Sequence, residues 1–321
     1  MYYATGPPPS VRPLNATVGI DSVYLQIKGV NKIDLDRFCR DFGLKYTNTD
    51  KGKYQSQWTI FLEGGQPITM IYHFNSKTTT LQIGGLMDYS ISGGDPHKFI
   101  QNLMQTFSER RIQISGLDFA VDTKMVAAPY QGELRKEVKL DRGTIYYNKP
   151  HKIVFTVYDK ALQMGIYSIP LIRFELRLRQ ALGRFRVNDF INNRQSLEKL
   201  AVKIDNEMNA MLHIYACDTN TSFSLVPFNT VRVLENFIEF IQGGSIPPIR
   251  DHHKVRQALD ARDTFLTWMR VHRIADPKRI NAHAKGNREG VQAKIGIDPK
   301  TFKKAVKFYE GIPNFKISKW A

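Results

Sequence analysis

The chain has 321 residues, 42% hydrophobic and 11% aromatic, which excludes wholesale disorder and allows one large domain or two. A formal net charge of +16 and a pI of about 9.7 point to a polyanionic partner, nucleic acid first. Two cysteines exclude a disulfide framework and a CxxC zinc site, and no apolar run reaches transmembrane length, so the expectation is a soluble cytoplasmic protein with no membrane partner.

In chain order, residues 1–16 hold four prolines and read as an irregular lead-in without a secretory signal pattern. Residues 18–27 alternate as a strand, and 33–42 have helical spacing with Leu35, Phe38 and Phe42 inward. Three β-rich runs follow at 58–62, 68–74 and 79–83, punctuated by Gly84-Gly85 and Gly93-Gly94. Asp95 and Pro96 suit the start of a helix to about residue 110. Strands are predicted at 112–122, 143–147, 153–160 and 171–179. Gly19-Ile20-Asp21 and Gly116-Leu117-Asp118 open two similar blocks, a hint of internal duplication. Beyond residue 187 the spacing becomes helical: 190–209, then a short strand and turn within 210–226, then a helix over 231–242. Cys39 and Cys217 read as buried small apolar residues.

Gly243, Gly244, Ser245, Pro247 and Pro248 mark a break, dividing the chain into a β-rich domain at 17–242 and a basic helical module at 249–321. From Arg250 onward there are 17 Lys/Arg against 7 Asp/Glu, so most of the basic excess sits there. Near its end a turn at Gly296-Ile297-Asp298 and a helix from Pro299 fit a helix-turn-helix. That helix would offer Lys300, Lys303, Lys304 and Lys307 to DNA; a solvated lysine face is the bland alternative. The fold class is therefore α+β: an antiparallel-sheet-rich domain with helices on one face, then the helical basic module.

The nine residues LIRFELRLR, 171–179, carry the most information. Ile172, Phe174, Leu176 and Leu178 share one strand face; Arg173, Glu175, Arg177 and Arg179 share the other. In ISGLDFAVDTK, Asp118 and Asp122 lie on one face. In IVFTVYDK, Tyr158 and Lys160 lie on the face away from Asp159. Glu175 reads equally as an ion-pair partner of the arginines or as a metal ligand. If the three strands are neighbours, their carboxylates suit a hard cation such as Mg²⁺ or Mn²⁺. Tyr158 would be a nucleophile once deprotonated, and the arginines would hold phosphate oxygens.

The succession GLDFAVD, IVFTVYDKALQ and PLIRFELRLR resembles the rolling-circle replication initiators of plasmids and filamentous phages, the replication-initiation-factor family. The likeness covers about a quarter of the chain, and YDK followed by RFELR is its most specific part. It implies a DNA nicking-closing endonuclease that cuts one strand at an origin and becomes joined through tyrosine to the 5′-phosphate. It implies Tyr158 as nucleophile, Lys160 and Arg173 as phosphate support, and Asp118, Asp122 and Glu175 as ligands for Mg²⁺ or Mn²⁺. Arg177 and Arg179 would contact DNA. Origin duplex and single-stranded DNA, a host helicase and polymerase, and a homodimer are the partners that go with it. Tyr146 and Tyr147 are rival nucleophiles. The eight histidines form no His-x-His pair, which disfavours the relaxases built on that motif. Two alternatives stand beside this: a DNA-binding regulator that does not nick, and a mobilisation relaxase.

Deleting residues 249–321 is expected to weaken DNA binding and flatten its salt dependence by several log–log units, while cleavage of a short single-stranded site stays measurable. A truncated chain that no longer folds would contradict the boundary at 243–248.

Overall fold

The computed structural model describes residues 16–242, apart from 51–54, 63–67, 88–95, 108–111, 126, 134, 142, 150–152, 165–169, 180–184, 187–192 and 222–227. The basic module, with Lys300, Lys303, Lys304, Lys307 and the helix-turn-helix, lies outside the described residues, as does the break before it.

Among the described residues eleven strands form one antiparallel sheet. They are β1 (Ala16–Lys28), β2 (Lys45–Asp50), β3 (Gln55–Phe61), β4 (Ile68–His73), β5 (Thr78–Ile83), β6 (Ile112–Thr123), β7 (Val138–Asp141), β8 (Thr144–Lys149), β9 (Ile153–Asp159), β10 (Ile172–Arg179) and β11 (Phe185–Arg186). The helices are α1 (Lys32–Asp41), α2 (Pro96–Thr106), α3 (Lys160–Gln163), α4 (Arg194–Thr219) and α5 (Thr230–Ile241). The α+β class, with a large antiparallel sheet and helices packed on it, is what the alternating and helical spacings predict. No helix among the described residues is long and apolar enough to cross a membrane.

One face of the sheet is apolar because strand alternation puts Val23, Leu25 and Ile27, Leu117, Phe119 and Val121, Phe155 and Val157, and Phe174, Leu176 and Leu178 on the same side. Each such side chain contributes about 1.5–3 kcal/mol on burial. Helix α1 starts at an Asn31–Asp34 capping box and buries Leu35, Phe38 and Cys39. The Phe38 ring meets Phe99 of α2, and Trp58 of β3 donates its indole N–H to Asp36 of α1 at 2.8 Å. Over the other half, Tyr215 of α4 meets Phe174 edge-on at 5.2 Å, and Phe174 stacks on Phe155.

The strand order is β2-β3-β4-β5-β1-β6-β10-β9-β8-β7, with β11 pairing to β6. Read outward from the centre, the two halves match, β1-β5-β4-β3-β2 on one side and β6-β10-β9-β8-β7 on the other, with β11 an addition to the second half. The register is duplicated as well. Val23 and Leu117 pair with each other on a pseudo-two-fold axis. On one side Asp21 of β1 has no partner in β6; on the other Ser115 of β6 has none in β1. Exchanging the halves swaps Asp21 with Ser115 and Tyr24 with Asp118. The expected duplication is therefore present, three residues out of step with the Gly-Ile-Asp and Gly-Leu-Asp likeness.

Several elements differ from expectation. Strands β2, β7 and β11 were not predicted: β2 is KYTNTD and almost wholly exposed, so it carries no apolar alternation. Of the strand and turn expected within 210–226, residues 222–226 lie outside the described residues, and 210–219 are instead the last part of α4. Met211, Leu212, Tyr215 and Thr219 continue its buried stripe to a left-handed cap at Asn220. Cys39 is buried as expected, but Cys217 is exposed, on the side of α4 away from that stripe. The strand 153–160 ends at Asp159, and Lys160 opens α3.

Candidate functional site

The polar face of the second half gathers the residues singled out above. Strands β6, β10 and β9 are neighbours, and Asp122, Arg173 and Tyr158 lie directly across from one another. In the same way Ala120, Glu175 and Thr156 share one row, and Asp118, Arg177 and Val154 another. Period-two alternation makes this a single face.

Arg173 is fully buried. Its Nε and Nη2 donate to Asp122 Oδ1 and Oδ2 at 2.6 and 2.7 Å, and its Nη1 lies 2.7 Å from Asp21 Oδ1. Burial would raise the Asp21 carboxyl, but Arg173, then Lys160, and a backbone N–H from Met87 bring it below the ordinary value. Arg177 is only partly buried. Its Nη2 donates to Glu175 Oε1 at 2.9 Å, and its Nε reaches Asp118 Oδ1 and Oδ2 at 3.2 and 3.3 Å. Asp118, about 1% exposed, also accepts from the Tyr24 hydroxyl at 3.0 Å. Burial, then the charge of Glu175, pushes the Asp118 carboxyl up to about 7, against the pull of Arg177 and Tyr24.

Tyr158 donates to Glu175 Oε2 at 3.2 Å. Burial holds its hydroxyl well above the ordinary tyrosine range; the Arg173 charge opposes this, while Glu175, Asp21 and Asp122 reinforce it. The phenol is therefore neutral at rest, next to a carboxylate that can take its proton. Of the rival tyrosines, Tyr147 points into the apolar core at 3% exposure, its hydroxyl raised by burial and by Asp218. Tyr146 shares the site face, across from Thr156 and one strand further from Glu175 than Tyr158, with the Lys139 ammonium 5.9 Å from its ring centroid. Lys160 donates to Gln163 at 3.0 Å at the end of β9.

The arrangement departs from the expected division of labour. Arg173, expected to support phosphate, has its guanidinium taken up by two carboxylates in the interior. Asp122, expected as a metal ligand, is the bidentate partner of that guanidinium. Among the described residues no three His, Cys, Asp or Glu side chains are grouped to hold a metal ion. The donors that still suit one are Asp118 and Glu175, two hard carboxylates whose mutual repulsion a cation would relieve. Arg179 pairs with Gly116 through its backbone, and its side chain lies outside what the structure describes.

Asp21 and Tyr24 complete the site; Tyr24 belongs to no motif, and Asp21 stands out in the sequence only through the Gly-Ile-Asp likeness, not as a site residue. Their signal is a parity change in β1: Val18 and Ile20 face the core, then Val23, Leu25 and Ile27 do. Such a change requires an extra residue between them, and extra residues re-aim side chains. A Cβ at Gly19 would lie 2.9 Å from Met87 Sδ, so a side chain there would displace the end of the Met87 side chain. The pseudo-axis also places a counterpart of the site on the first half, where His73, Thr80, Gln82 and Lys28 stand at the positions of Tyr158, Glu175, Arg177 and Asp122. The His73–Thr80 contact is 3.2 Å, matching Tyr158–Glu175, but the counterpart holds no carboxylate.

No protein-family model matches the chain, and no curated protein sequence does. Among solved structures it is similar to a rolling circle replication initiator protein from Geobacillus stearothermophilus. The identity is 14% and the TM-score 0.34, over 72% of this chain and 98% of that one.

The raised Asp118 carboxyl carries a sign. A carboxyl whose folded pKa lies above its unfolded value of 3.8 contributes stability that is full below about pH 4 and is lost as pH rises through about 7. Asp118→Asn removes that dependence. Thermal melts should show the variant gaining several degrees on the wild type between about pH 4.5 and pH 8. A gap that stays constant or narrows would contradict the burial and repulsion assigned to Asp118.

Proposed function

We propose that the protein starts rolling-circle DNA replication by nicking one strand and joining itself to the 5′-phosphate through Tyr158. The observation that carries this is the Tyr158–Glu175 hydrogen bond inside a cluster of arginines and carboxylates. A neutral phenol is a weak nucleophile, and a carboxylate at hydrogen-bonding distance is the base it needs.

Glu175 accepts the Tyr158 proton while the phenolic oxygen attacks phosphorus. A P–O bond forms to Tyr158, the P–O3′ bond breaks, and the departing 3′-oxygen takes up a proton from solvent, so a 3′-hydroxyl is released as primer end while Glu175 returns its proton to solvent. The Arg173 charge, fixed by Asp122 and Asp21, favours the phenolate across the strand. Arg177, partly exposed, is the guanidinium that can reach the phosphate oxygens, with Lys160 at the open end of β9. Asp118 and Glu175 are the residues that would hold Mg²⁺ or Mn²⁺, which when bound would polarise the phosphodiester. Resealing is the reverse: a 3′-hydroxyl attacks the phosphotyrosine and the proton returns to Tyr158.

A regulator that binds DNA without nicking has one observation in its favour: Asp118, Asp122 and Glu175 are all ion-paired to arginine. Supercoiled plasmid bearing the DNA that flanks the coding gene, incubated with Mg²⁺ or Mn²⁺, separates the two readings. Nicked circles and a protein–DNA adduct are expected, and Tyr158→Phe should lower adduct formation by more than about a thousandfold. Binding with no relaxation in either metal would establish the regulator instead.

A further inference from the structure

Tyr24 belongs to no motif and sits on the opposite half of the sheet from Tyr158, yet its hydroxyl joins the same polar chain. That chain runs from Tyr24 to Asp118, from Asp118 to Arg177, from Arg177 to Glu175, and from Glu175 to the Tyr158 hydroxyl. Resting on the nicking function above, we propose that Tyr24 is a positioning residue: by holding Asp118 it keeps Arg177 on Glu175, and Glu175 on Tyr158.

The distances carry the argument. Arg177 makes its short contact with Glu175, at 2.9 Å, and only long ones with Asp118, at 3.2 and 3.3 Å. A carboxylate as buried as Asp118 cannot leave its oxygens poorly satisfied without a cost in free energy. The Tyr24 hydroxyl, at 3.0 Å from Oδ2, supplies the donor that Arg177 does not. Without it, Asp118 would draw the guanidinium towards itself. Glu175 would lose its cation and the Tyr158 hydroxyl its fixed acceptor.

The backbone is built to place this hydroxyl. The two unpaired residues, Asp21 and Ser115, lie on either side of Tyr24 in the β1–β6 ladder. They shift the strand so that Tyr24 faces the site and Leu25 the core. Ser115, one of the two, donates its hydroxyl to the Tyr24 carbonyl at 3.2 Å. Tyr24 and Asp118 are also the residues that the pseudo-axis exchanges, so their bond crosses the axis and ties the first half to the chemistry of the second.

The test uses the full chain and an oligonucleotide spanning the nick mapped on the flanking DNA. For Tyr24→Phe, the rate of adduct formation at saturating oligonucleotide should fall about 10–100-fold. The half-saturating concentration should stay within about twofold and the melting temperature within about 2 °C of wild type. Tyr24→Phe combined with Asp118→Asn should be no slower than Asp118→Asn alone, because Tyr24 acts through Asp118. A wild-type rate in Tyr24→Phe, additive losses in the double variant, or a loss explained by early melting would each overturn the inference while leaving the nicking function intact. A wild-type protein that forms no adduct rejects the nicking function itself, and the inference with it.

Discussion

The Arg173 guanidinium, with no exposed surface, is held between Asp122 and Asp21. An isolated charge in that position would cost many kcal/mol, so the pair must be complete for the sheet to close. Asp122 comes from β6 and Asp21 from β1, and the three strands β1, β6 and β10 are thereby fixed at one register. Removing either carboxylate leaves a buried cation short of charge, which in such pairs typically costs about 3–5 kcal/mol. Everything else on the site face takes its position from this clamp. Tyr158 of β9 lies directly opposite Arg173 of β10, and Glu175 and Arg177 are the next residues outward on the same strand face.

The duplicated frame has its cluster of carboxylates and guanidiniums on one side only. Both halves have the same strand order and the same register about Val23 and Leu117. Both set a titratable or polar side chain on the neighbouring strand at hydrogen-bonding distance, Tyr158 to Glu175 and His73 to Thr80. Only the second half combines that geometry with carboxylates and guanidiniums. The fold supplies two equivalent places, and only one of them carries carboxylates and guanidiniums. Tyr24 and Asp21 show that the first half still contributes, through residues aimed across the axis by the two unpaired positions.

Much of this was legible in the sequence. LIRFELRLR, GLDFAVD and IVFTVYDK share one alternation, so period two put Asp118 with Asp122, and Arg173 with Glu175 and Arg177, on one face of their strands; that these strands and that of Tyr158 are neighbours stood as a condition, which the pairing of β6, β10 and β9 meets. The roles inside that face were not legible. Whether Arg173 meets phosphate or carboxylate depends on its burial and on Asp21, which comes from β1, two strands away. Asp21 was invisible as a partner because its link to Arg173 spans more than 150 residues and three strands. The helical continuation through Ala210–Thr219 was missed because its buried stripe is mixed with polar and small residues such as His213 and Ala216. Strands such as β2, exposed on most sides, have no periodic signal to read.

The central claim is that the face built by β6, β9 and β10 delivers the Tyr158 oxygen, and no other, to a phosphodiester. The most direct measurement is tandem mass spectrometry of the nuclease-trimmed, protease-digested adduct formed by the wild-type chain on its own flanking DNA. A nucleotide phosphate attached at Tyr158, in the peptide containing IVFTVYDK, is the predicted result. Attachment at Tyr146, at Tyr24 or at a residue of the basic module would contradict it.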